Sequence, residues 1–217
     1  MSCRHALTIE ALTPNAHHLA KEIIVKGLKE RFGEENFDES FNPDLNQLHE
    51  AFVYFCVGNV QSVNDHEDSL NDENYSCTNH CNNNQLMIAT GGLSLDFKYF
   101  GKDECCFRIE RVSVLKEFRR RGYASQIVSH LMDVAKQIVA MMDRNNIHTS
   151  SSGGVDHGSN VFHEVYEKIE KLQPMKLNRK IVVETDTPWI EAVELYKKKG
   201  FTVVCEKEGC THFELDF

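Results

Sequence analysis

The sequence predicts an α/β fold, in which strands and helices alternate along one chain of 217 residues. Three observations lead to this prediction. Short alternating or continuous apolar stretches indicate strands, longer stretches with an apolar residue every three or four positions indicate helices, and two polar stretches interrupt the pattern. With 41% hydrophobic residues, the chain can bury one sizeable core. We therefore expect a single domain, residues 1–217, with insertions at about 62–84 and 145–178.

The N-terminal half predicts a strand, a helix and three further strands. Residues 7–12 alternate apolar and polar side chains, as a half-buried strand does. Thr13 provides an N-cap and Pro14 a first-turn residue for a helix that ends at Gly33. One or two helical turns are expected within residues 44–50. Strands are then predicted at residues 51–59, 85–97 and 105–115.

Two stretches are too polar to belong to a packed core. From Asn64 to Asn84, seven of 21 residues are Asn, five are acidic and none is Lys or Arg, so we expect a mobile hairpin insertion. Residues 145–160 are rich in Gly, Ser and Asn, which indicates a second insertion. Its continuation, residues 161–172, has apolar residues on one helical face and predicts an added helix.

The C-terminal half contains the strongest helical pattern, at residues 122–144. A fifth strand is predicted at residues 180–186. Thr187 and Pro188 then provide the start signals of a helix that ends at Gly200. The chain closes with a hairpin of two strands, residues 201–206 and 210–217.

Composition excludes several functional classes. The net charge of −9 disfavours nucleic acid as a partner, because phosphate contacts need a basic surface. The longest apolar stretch, residues 51–57, is far shorter than the roughly 20 residues that cross a bilayer, so no membrane partner is expected. The first fifteen residues hold no signal-peptide pattern, and the eight cysteines are irregularly spaced. We therefore expect a cytoplasmic or nuclear protein with reduced thiols. The sequence leaves open whether the protein forms a homodimer.

The segment FRRRGYAS, residues 118–125, joins the fourth predicted strand to the long helix. Backbone N–H groups at a helix N-terminus bind anions, and the arginines add charge and forked hydrogen bonds. Gly122 and Ala124 allow a bulky anion to approach the backbone. The turn therefore predicts a phosphate-bearing ligand, although neither the P-loop pattern nor the dinucleotide pattern occurs in it.

The hexapeptide from Arg119 to Ala124 reads R-x-x-G-x-A and resembles the coenzyme A pyrophosphate motif of the GNAT acetyltransferase superfamily. The longer segment IERVSVLKEFRRRGYA is similar to the central segment of that superfamily, and AVELYKKKGF is similar to its last helix and following strand. The resemblance covers most of the chain outside residues 64–84 and 145–178. It implies a GNAT-like acyl-CoA N-acyltransferase fold, with a mixed, splayed sheet of six to seven strands flanked by helices, and acetyl-CoA as co-substrate.

The resemblance also implies where acetyl-CoA lies: in the wedge between the fourth and fifth strands. Backbone groups of the fourth strand would pair with the pantetheine arm, and the basic turn would bind the pyrophosphate. Many members place an Asn where this chain has Trp189, so that contact is in doubt and Trp189 could pack on the adjoining helix instead. The predicted cofactor-binding residues are Val112, Ser113, Val114, Arg119, Arg120, Arg121, Gly122, Tyr123, Ala124 and Ser125.

Acetyl transfer needs an amine that attacks the thioester, a donor for the oxyanion and a proton for the departing thiolate. A strand amide near Val112 or Val114 is the expected oxyanion donor. By its match to the superfamily, Tyr196 is the candidate acid, since a phenol is protonated at neutral pH. The alternative is that Tyr196 only packs on its helix.

Glu110 is the candidate base, on the fourth strand where this superfamily often carries a carboxylate or an ordered water. By alternation it shares a face with Val112 and Val114, unless a bulge intervenes. The alternatives are a surface ion pair of Glu110 with a neighbouring arginine, a water relay, or another carboxylate as base. The residues concerned are Arg108, Arg111, Glu184 and Asp186.

Two questions stay open at this point. Cys77, His80 and Cys81 offer three zinc-type ligands without a clear fourth, so no metal is expected. The acidic net charge favours an amine acceptor, and we expect a small metabolite such as a polyamine or an amino sugar. A protein N-terminus or a lysine side chain is the alternative, and a non-catalytic CoA-binding protein is the competing class.

Overall fold

A computed structural model describes residues 6–61, 80–81, 85–99, 104–148, 160–172 and 176–217. Most of the first predicted insertion lies outside these ranges, as do residues 149–159 and 173–175 of the second. The strands are β1 (Thr8–Ala11), β2 (Tyr54–Gln61), β3 (His80–Cys81), β4 (Gln85–Asp96), β5 (Glu104–Val114), β6 (Lys176–Asp186), β7 (Thr202–Lys207) and β8 (Cys210–Asp216). The α-helices are α1 (His17–Phe32), α2 (Leu48–Ala51), α3 (Tyr123–His148), α4 (Asn160–Leu172) and α5 (Ile190–Lys198).

Seven strands form one mixed sheet in the order β1-β2-β4-β5-β6-β8-β7, and the two-residue β3 pairs with β4. The pairing of β5 with β6 is parallel and the other pairings are antiparallel. The predicted α/β fold with a mixed sheet of six to seven strands is thus confirmed. The sheet carries helices on both faces, and its two cores are separate.

The larger core packs α3, α4 and α5 against one face of the sheet. Its members with the least exposure include Phe107, Ile109, Ile127, Leu131, Ile169 and Phe213. The second core packs α1, α2 and the loop between them against the other face, with Ile23, Leu45, Leu48, Phe52 and Met87 buried. We call these two sides the α3 face and the α1 face.

Several boundaries differ by a few residues from the sequence prediction, and two of the differences are in the C-terminal part of the sheet. β6 begins at Lys176, so residues 176–178 belong to the sheet and not to the second insertion. α5 begins at Ile190 with Trp189 as its N-cap, and not after Thr187. The reason is that Thr187 binds the hairpin: its N–H donates to the Gly209 carbonyl at 2.8 Å, and its hydroxyl lies 3.0 Å from that of Thr211.

The parallel pair β5–β6 opens partway along its length. The last paired residues are Arg108 and Val182, and beyond them β5 pairs only with β4 while β6 pairs only with β8. Residues 109–114 and 183–186 therefore line a wedge in the sheet, as the splayed fold requires. Among the described residues, no helix is both long and apolar enough to cross a bilayer.

Candidate active site

A β-bulge shapes the β5 side of the wedge. Thr90 pairs with Ser113 and Gly92 with Glu110, so two residues of β5 oppose one residue of β4. Arg111, inside the bulge, has a φ of 54°. The Thr90 hydroxyl donates to the Arg111 carbonyl at 2.9 Å and holds this conformation in place.

The bulge decides which face each side chain reaches. Ser94 Oγ, on the α1 face, donates to Glu110 Oε2 at 2.6 Å. A Cβ at Gly91 would lie 3.8 Å from the Val112 side chain and 2.5 Å from Ile127 of α3, which places Val112 on the α3 face. Glu110 is therefore on the opposite face from Val112 and Val114, because the bulge interrupts the alternation on which the sequence prediction depended.

The backbone of β5 beyond the bulge turns two N–H groups towards the wedge. The Leu115 N–H donates to the Ile88 carbonyl of β4 at 2.9 Å. Since alternate residues of a strand point to the same neighbour, the N–H groups of Val112 and Val114 point away from β4, into the wedge. The Ser113 side chain points to the α1 face, where its Oγ donates to the Ile23 carbonyl at 3.3 Å.

The basic turn has the backbone of an anion site. Arg120 and Gly122 both have positive φ, 61° and 85°, and a Cβ at Gly122 would meet no atom within 4 Å. The Gln126 N–H donates to the Gly122 carbonyl at 3.1 Å as the first turn of α3 closes. The N–H groups before it point out of the helix end, where the helix dipole favours an anion.

The three arginines of the turn, which the sequence analysis treated alike, differ in structure. Arg119 Nε donates to the Val114 carbonyl at 2.9 Å, and its Nη2 lies 2.6 Å from Glu30. Arg121 Nη2 donates to the Glu117 carbonyl at 3.1 Å. The Arg120 side chain is 88% exposed, with one loose contact of 3.9 Å to Glu191. Arg119 thus ties the turn to the wedge, while the Arg120 side chain extends into solvent.

Tyr196 lies in the larger core, on the α3 face of the sheet. It is 6% exposed, and its ring centroid lies 5.7 Å from that of Phe201 and 5.6 Å from that of Phe213. Burial raises the pKa of the Tyr196 phenol above its ordinary value, and the nearby charge of Arg31 opposes this rise. The remaining predicted residues of the turn, Ala124 and Ser125, are half-buried, and Tyr123 is buried.

Glu110 makes no ion pair with either neighbouring arginine. Arg108 pairs with Asp96, and its Nη1 lies 3.7 Å from Glu184. Arg111 binds Asp44 through two bonds of 2.7 and 2.8 Å. The surface ion pair of Glu110 that the sequence left open is therefore not formed, and Glu110 faces the α1 side with the Ser94 bond described above.

The β6 side of the wedge carries the other two carboxylates on the same face. Glu184 Oε2 lies 3.5 Å from His212 Nδ1 of β8. Asp186, at the end of β6, pairs with Arg31 of α1 and accepts a bond from Cys210 Sγ at 3.5 Å. The wedge is therefore bordered on the α1 face by Glu110, Glu184 and Asp186.

Arg31 is the residue at this site that the sequence analysis missed. Its guanidinium carbon lies 4.8 Å from the ring centroids of both Phe32 and Trp189, and it links α1 to β6 through Asp186. Trp189, in the position where the superfamily often has Asn, thus packs on the adjoining helix α1. The only signal in the sequence was a basic residue in the last turn of a helix, which usually complements the helix dipole.

Within the described residues, no group of three or more His, Cys, Asp or Glu could hold a metal ion. Cys77 and the side chains of His80 and Cys81, which the sequence offered as zinc-type ligands, lie outside the described residues.

Comparisons with known proteins place this site in a family. The model of the GNAT acetyltransferase family matches residues 35–149, more than half of the chain. An acetyltransferase of that family from Staphylococcus aureus Mu50 is similar in structure, with a TM-score of 0.57 and 15% identity over 97% of this chain and 99% of that one. For Ard1 from Thermoplasma volcanium the TM-score is 0.50, with 15% identity over 97% of each chain.

A third solved structure, the ribosomal-protein-S18-alanine N-acetyltransferase from Escherichia coli, has a TM-score of 0.47 and 14% identity over 97% of this chain and 94% of that one. The search of curated proteins gave no match. Because the family model covers the wedge strand β5, the basic turn and the whole of α3, the chain belongs to the GNAT acetyltransferase family and is an acetyl-CoA-dependent N-acetyltransferase.

Proposed function

We propose that this enzyme acetylates a primary amine of a small cationic metabolite, such as a polyamine or an amino sugar, by direct attack in a ternary complex. The observation that carries the proposal is the border of the wedge on the α1 face, which holds Glu110, Glu184 and Asp186. Arg108 and Arg31 balance the charges of Glu184 and Asp186, so the uncompensated negative charge of this border is that of Glu110, which is bound by the Ser94 hydroxyl. An amine that carries a second positive charge is the acceptor such a border attracts.

In this proposal, the backbone of β5 and the basic turn bind acetyl-CoA. The N–H groups of Val112 and Val114 would pair with the pantetheine arm, because they point into the wedge and have no strand partner there. The pyrophosphate would lie at the start of α3, over Gly122, with the exposed Arg120 as its guanidinium partner. Arg119 would keep the turn in position through Val114 and Glu30.

The chemistry follows from the two faces of the wedge. The amine nitrogen attacks the thioester carbon from the α1 face, and its proton passes to the Glu110 carboxylate, directly or through a water. The N–H of Val112 or Val114 would stabilise the oxyanion. As the C–S bond breaks, Tyr196 donates its phenolic proton to the sulfur. Burial raises the pKa of this phenol, so the phenolate that the transfer leaves behind needs stabilisation.

A small acceptor is favoured over a protein by the contacts that cross the α1 face. The Arg31–Asp186 ion pair joins α1 to the end of β6, and the Arg111–Asp44 pair joins β5 to the loop before α2. These links narrow the space in which an extended peptide would have to lie. A protein N-terminus or a lysine side chain is the second candidate, and it would require the Arg31 link to open.

The cofactor site is tested by calorimetric titration with acetyl-CoA. Gly122→Asp places a carboxylate where the pyrophosphate would bind and should abolish binding. Gly209→Asp is the matched control, because Gly209 also has positive φ, 81° against 85°, and also has open space around it. Both substitutions should therefore cost similar stability, about 1 kcal/mol. Equal affinity of the two variants would contradict the assigned pyrophosphate site.

The acceptor is tested by release of the CoA thiol with three classes of amine: diamines and polyamines, neutral monoamines, and short peptides with a free N-terminus. The proposal expects the highest kcat/KM for the polyamines and a steep decrease with salt, since the attraction is electrostatic. Preference for the peptides would favour the second candidate. Tight binding of acetyl-CoA without turnover on any amine would favour a non-catalytic protein.

A further inference from the structure

We propose that Arg31 is a positioning residue for acetyl transfer: held by Asp186 and by the rings of Phe32 and Trp189, it stabilises the negative charge that Tyr196 takes on when it protonates the leaving thiolate. The inference rests on the proposed role of Tyr196 as acid. It concerns α1, a helix outside the motifs by which the sequence resembles the family.

Three contacts fix the Arg31 guanidinium. Its Nε donates to Asp186 Oδ2, and the guanidinium carbon is 4.8 Å from each of the two ring centroids, Phe32 and Trp189. The Arg31 side chain is 22% exposed. A planar cation between two rings, with a carboxylate as hydrogen-bond acceptor, has little freedom to rotate. Its charge therefore stays in one place during the reaction, which a surface arginine could not provide.

The geometry of α5 directs the Tyr196 side chain towards this guanidinium. Trp189 is the N-cap of α5, and Tyr196 follows seven residues later, which puts both on the same side of the helix. Helical side chains lean towards the N-terminus of their helix, so the phenol of Tyr196 extends back towards Trp189 and the guanidinium stacked on it. The effect of Arg31 on the Tyr196 pKa, opposite to that of burial, agrees with this proximity.

The proton transfer creates a need for such a cation. When the tetrahedral intermediate collapses, the C–S bond breaks, the sulfur takes the phenolic proton, and a phenolate remains on Tyr196 until solvent returns a proton. A buried phenolate without a partner is costly, because the protein interior solvates charge poorly. The fixed positive charge of Arg31 lowers the free energy of the buried phenolate. In this scheme Asp186 keeps Arg31 in position and does not contact Tyr196 itself.

A double-mutant cycle tests whether Arg31 acts through Tyr196. The variants are Arg31→Gln, Tyr196→Phe and the double variant, and kcat is measured by thiol release with saturating acetyl-CoA. We expect Arg31→Gln to lower kcat by about 10-fold to 100-fold in the native background, but less than about 3-fold when Tyr196 is already Phe. Equal factors in both backgrounds, or no loss in either, would overturn the inference.

Two further variants separate this role from a structural one. Arg31→Lys keeps the charge but not the planar fork, so it should restore part of the lost kcat; no gain over Arg31→Gln would count against the inference. It also serves if Arg31→Gln does not fold. Asp186→Asn, which loosens the anchor, should lower kcat by a smaller factor that again disappears beside Tyr196→Phe, whereas a factor that persists there would contradict the scheme.

These measurements separate an error in the role of Arg31 from an error in the proposed function. Acetyl-CoA affinity, measured by calorimetry on every variant, should stay within about 3-fold of the native value, because Arg31 is assigned no cofactor contact. If the native protein binds acetyl-CoA and Tyr196→Phe leaves kcat unchanged, the proposed acid is wrong, and the inference falls with it. If Tyr196→Phe lowers kcat and Arg31→Gln does not, only the role of Arg31 is wrong.

Discussion

The hydroxyl of Thr90 donates a hydrogen bond of 2.9 Å to the carbonyl oxygen of Arg111, the residue of β5 with a φ of 54°. This bond joins the two strands at the bulge, where β4 has one residue fewer than β5. Because the bulge shifts the alternation of β5, it places Glu110 on the α1 face and Val112 on the α3 face. One buried threonine thus supports the geometry on which the proposed binding and chemistry depend.

Thr90→Val removes the hydroxyl and keeps the shape of the side chain. The Arg111 carbonyl loses its partner, so we expect a decrease of about 1–3 kcal/mol in the free energy of unfolding, and a weaker affinity for acetyl-CoA as the bulge relaxes. Urea denaturation and calorimetry measure the two effects. Thr90→Ser retains the hydroxyl and is the control; if it loses cofactor affinity as strongly as Thr90→Val, the hydrogen bond is not what holds the site.

Gly91→Ala should disturb the same region from the side of α3. A Cβ at this position would lie 2.5 Å from Ile127 Cγ2 and 3.0 Å from Leu131 Cδ1, so the strand or the helix has to move. We expect a loss of about 1–3 kcal/mol of stability from overpacking. Ile127→Ala opens space, and the double variant should be more stable than the sum of the two single changes predicts. If the effects of the two single changes simply add, the close contact with Ile127 is not the cause of the lost stability.

Glu110→Gln tests the proposed base. The amide cannot accept the amine proton, so kcat/KM should fall by about 100-fold or more, while the affinity for acetyl-CoA stays unchanged. Glu184→Gln is the matched control on the facing strand, 3.7 Å from Arg108. A large loss in Glu184→Gln together with a small one in Glu110→Gln would assign the base to β6.

Stability should fall at alkaline pH because of buried thiols. Burial raises the pKa of Cys56 and of Cys106 from the ordinary value of 9.0 to about 12. Above about pH 9 the unfolded chain loses these protons while the folded chain keeps them, so the stability contribution is complete below pH 9 and is lost as the pH rises towards 12. From about pH 8 to about pH 10.5 the decrease should be about 2 kcal/mol for each thiol.

Urea denaturation across this range measures the alkaline decrease. Cys56→Ala should reduce the alkaline decrease in the free energy of unfolding by about the contribution of one thiol, independently of its effect on stability at pH 8. Cys205→Ala, at an exposed position of β7, is the control and should leave the slope unchanged. An unaltered slope in Cys56→Ala would mean that other groups cause the alkaline loss.

The order of elements was predictable because each carries a local signal. Apolar periodicity predicted the long helix α3 and the strands of the sheet, and Gly33 and Gly200 marked the ends of α1 and α5. The start of α5 was not predictable, since Thr187 is an N-cap by residue type but binds Gly209 and Thr211 of the closing hairpin. That competition depends on a strand that comes later in the chain.

By itself, the sequence determined the family, and it predicted the basic turn as an anion site. The turn is local. Gly122, the small residues after it and the arginines before it lie within eight consecutive residues, so their pattern is visible in the sequence alone. Tyr196 became the candidate acid in the same way, through the signature of its own helix.

Only the tertiary structure decided which residues lie on the α1 face of the wedge, where we propose that the acceptor binds. Glu110 faces it because a bulge, supported by Thr90 from another strand, reverses the alternation. Arg31 reaches it because Asp186 and Trp189, which lie more than 150 residues further along the chain, provide the carboxylate and one of the two rings that hold its guanidinium. Such contacts leave no local pattern, since an ion pair or a stacked ring constrains distance in space and not separation in sequence.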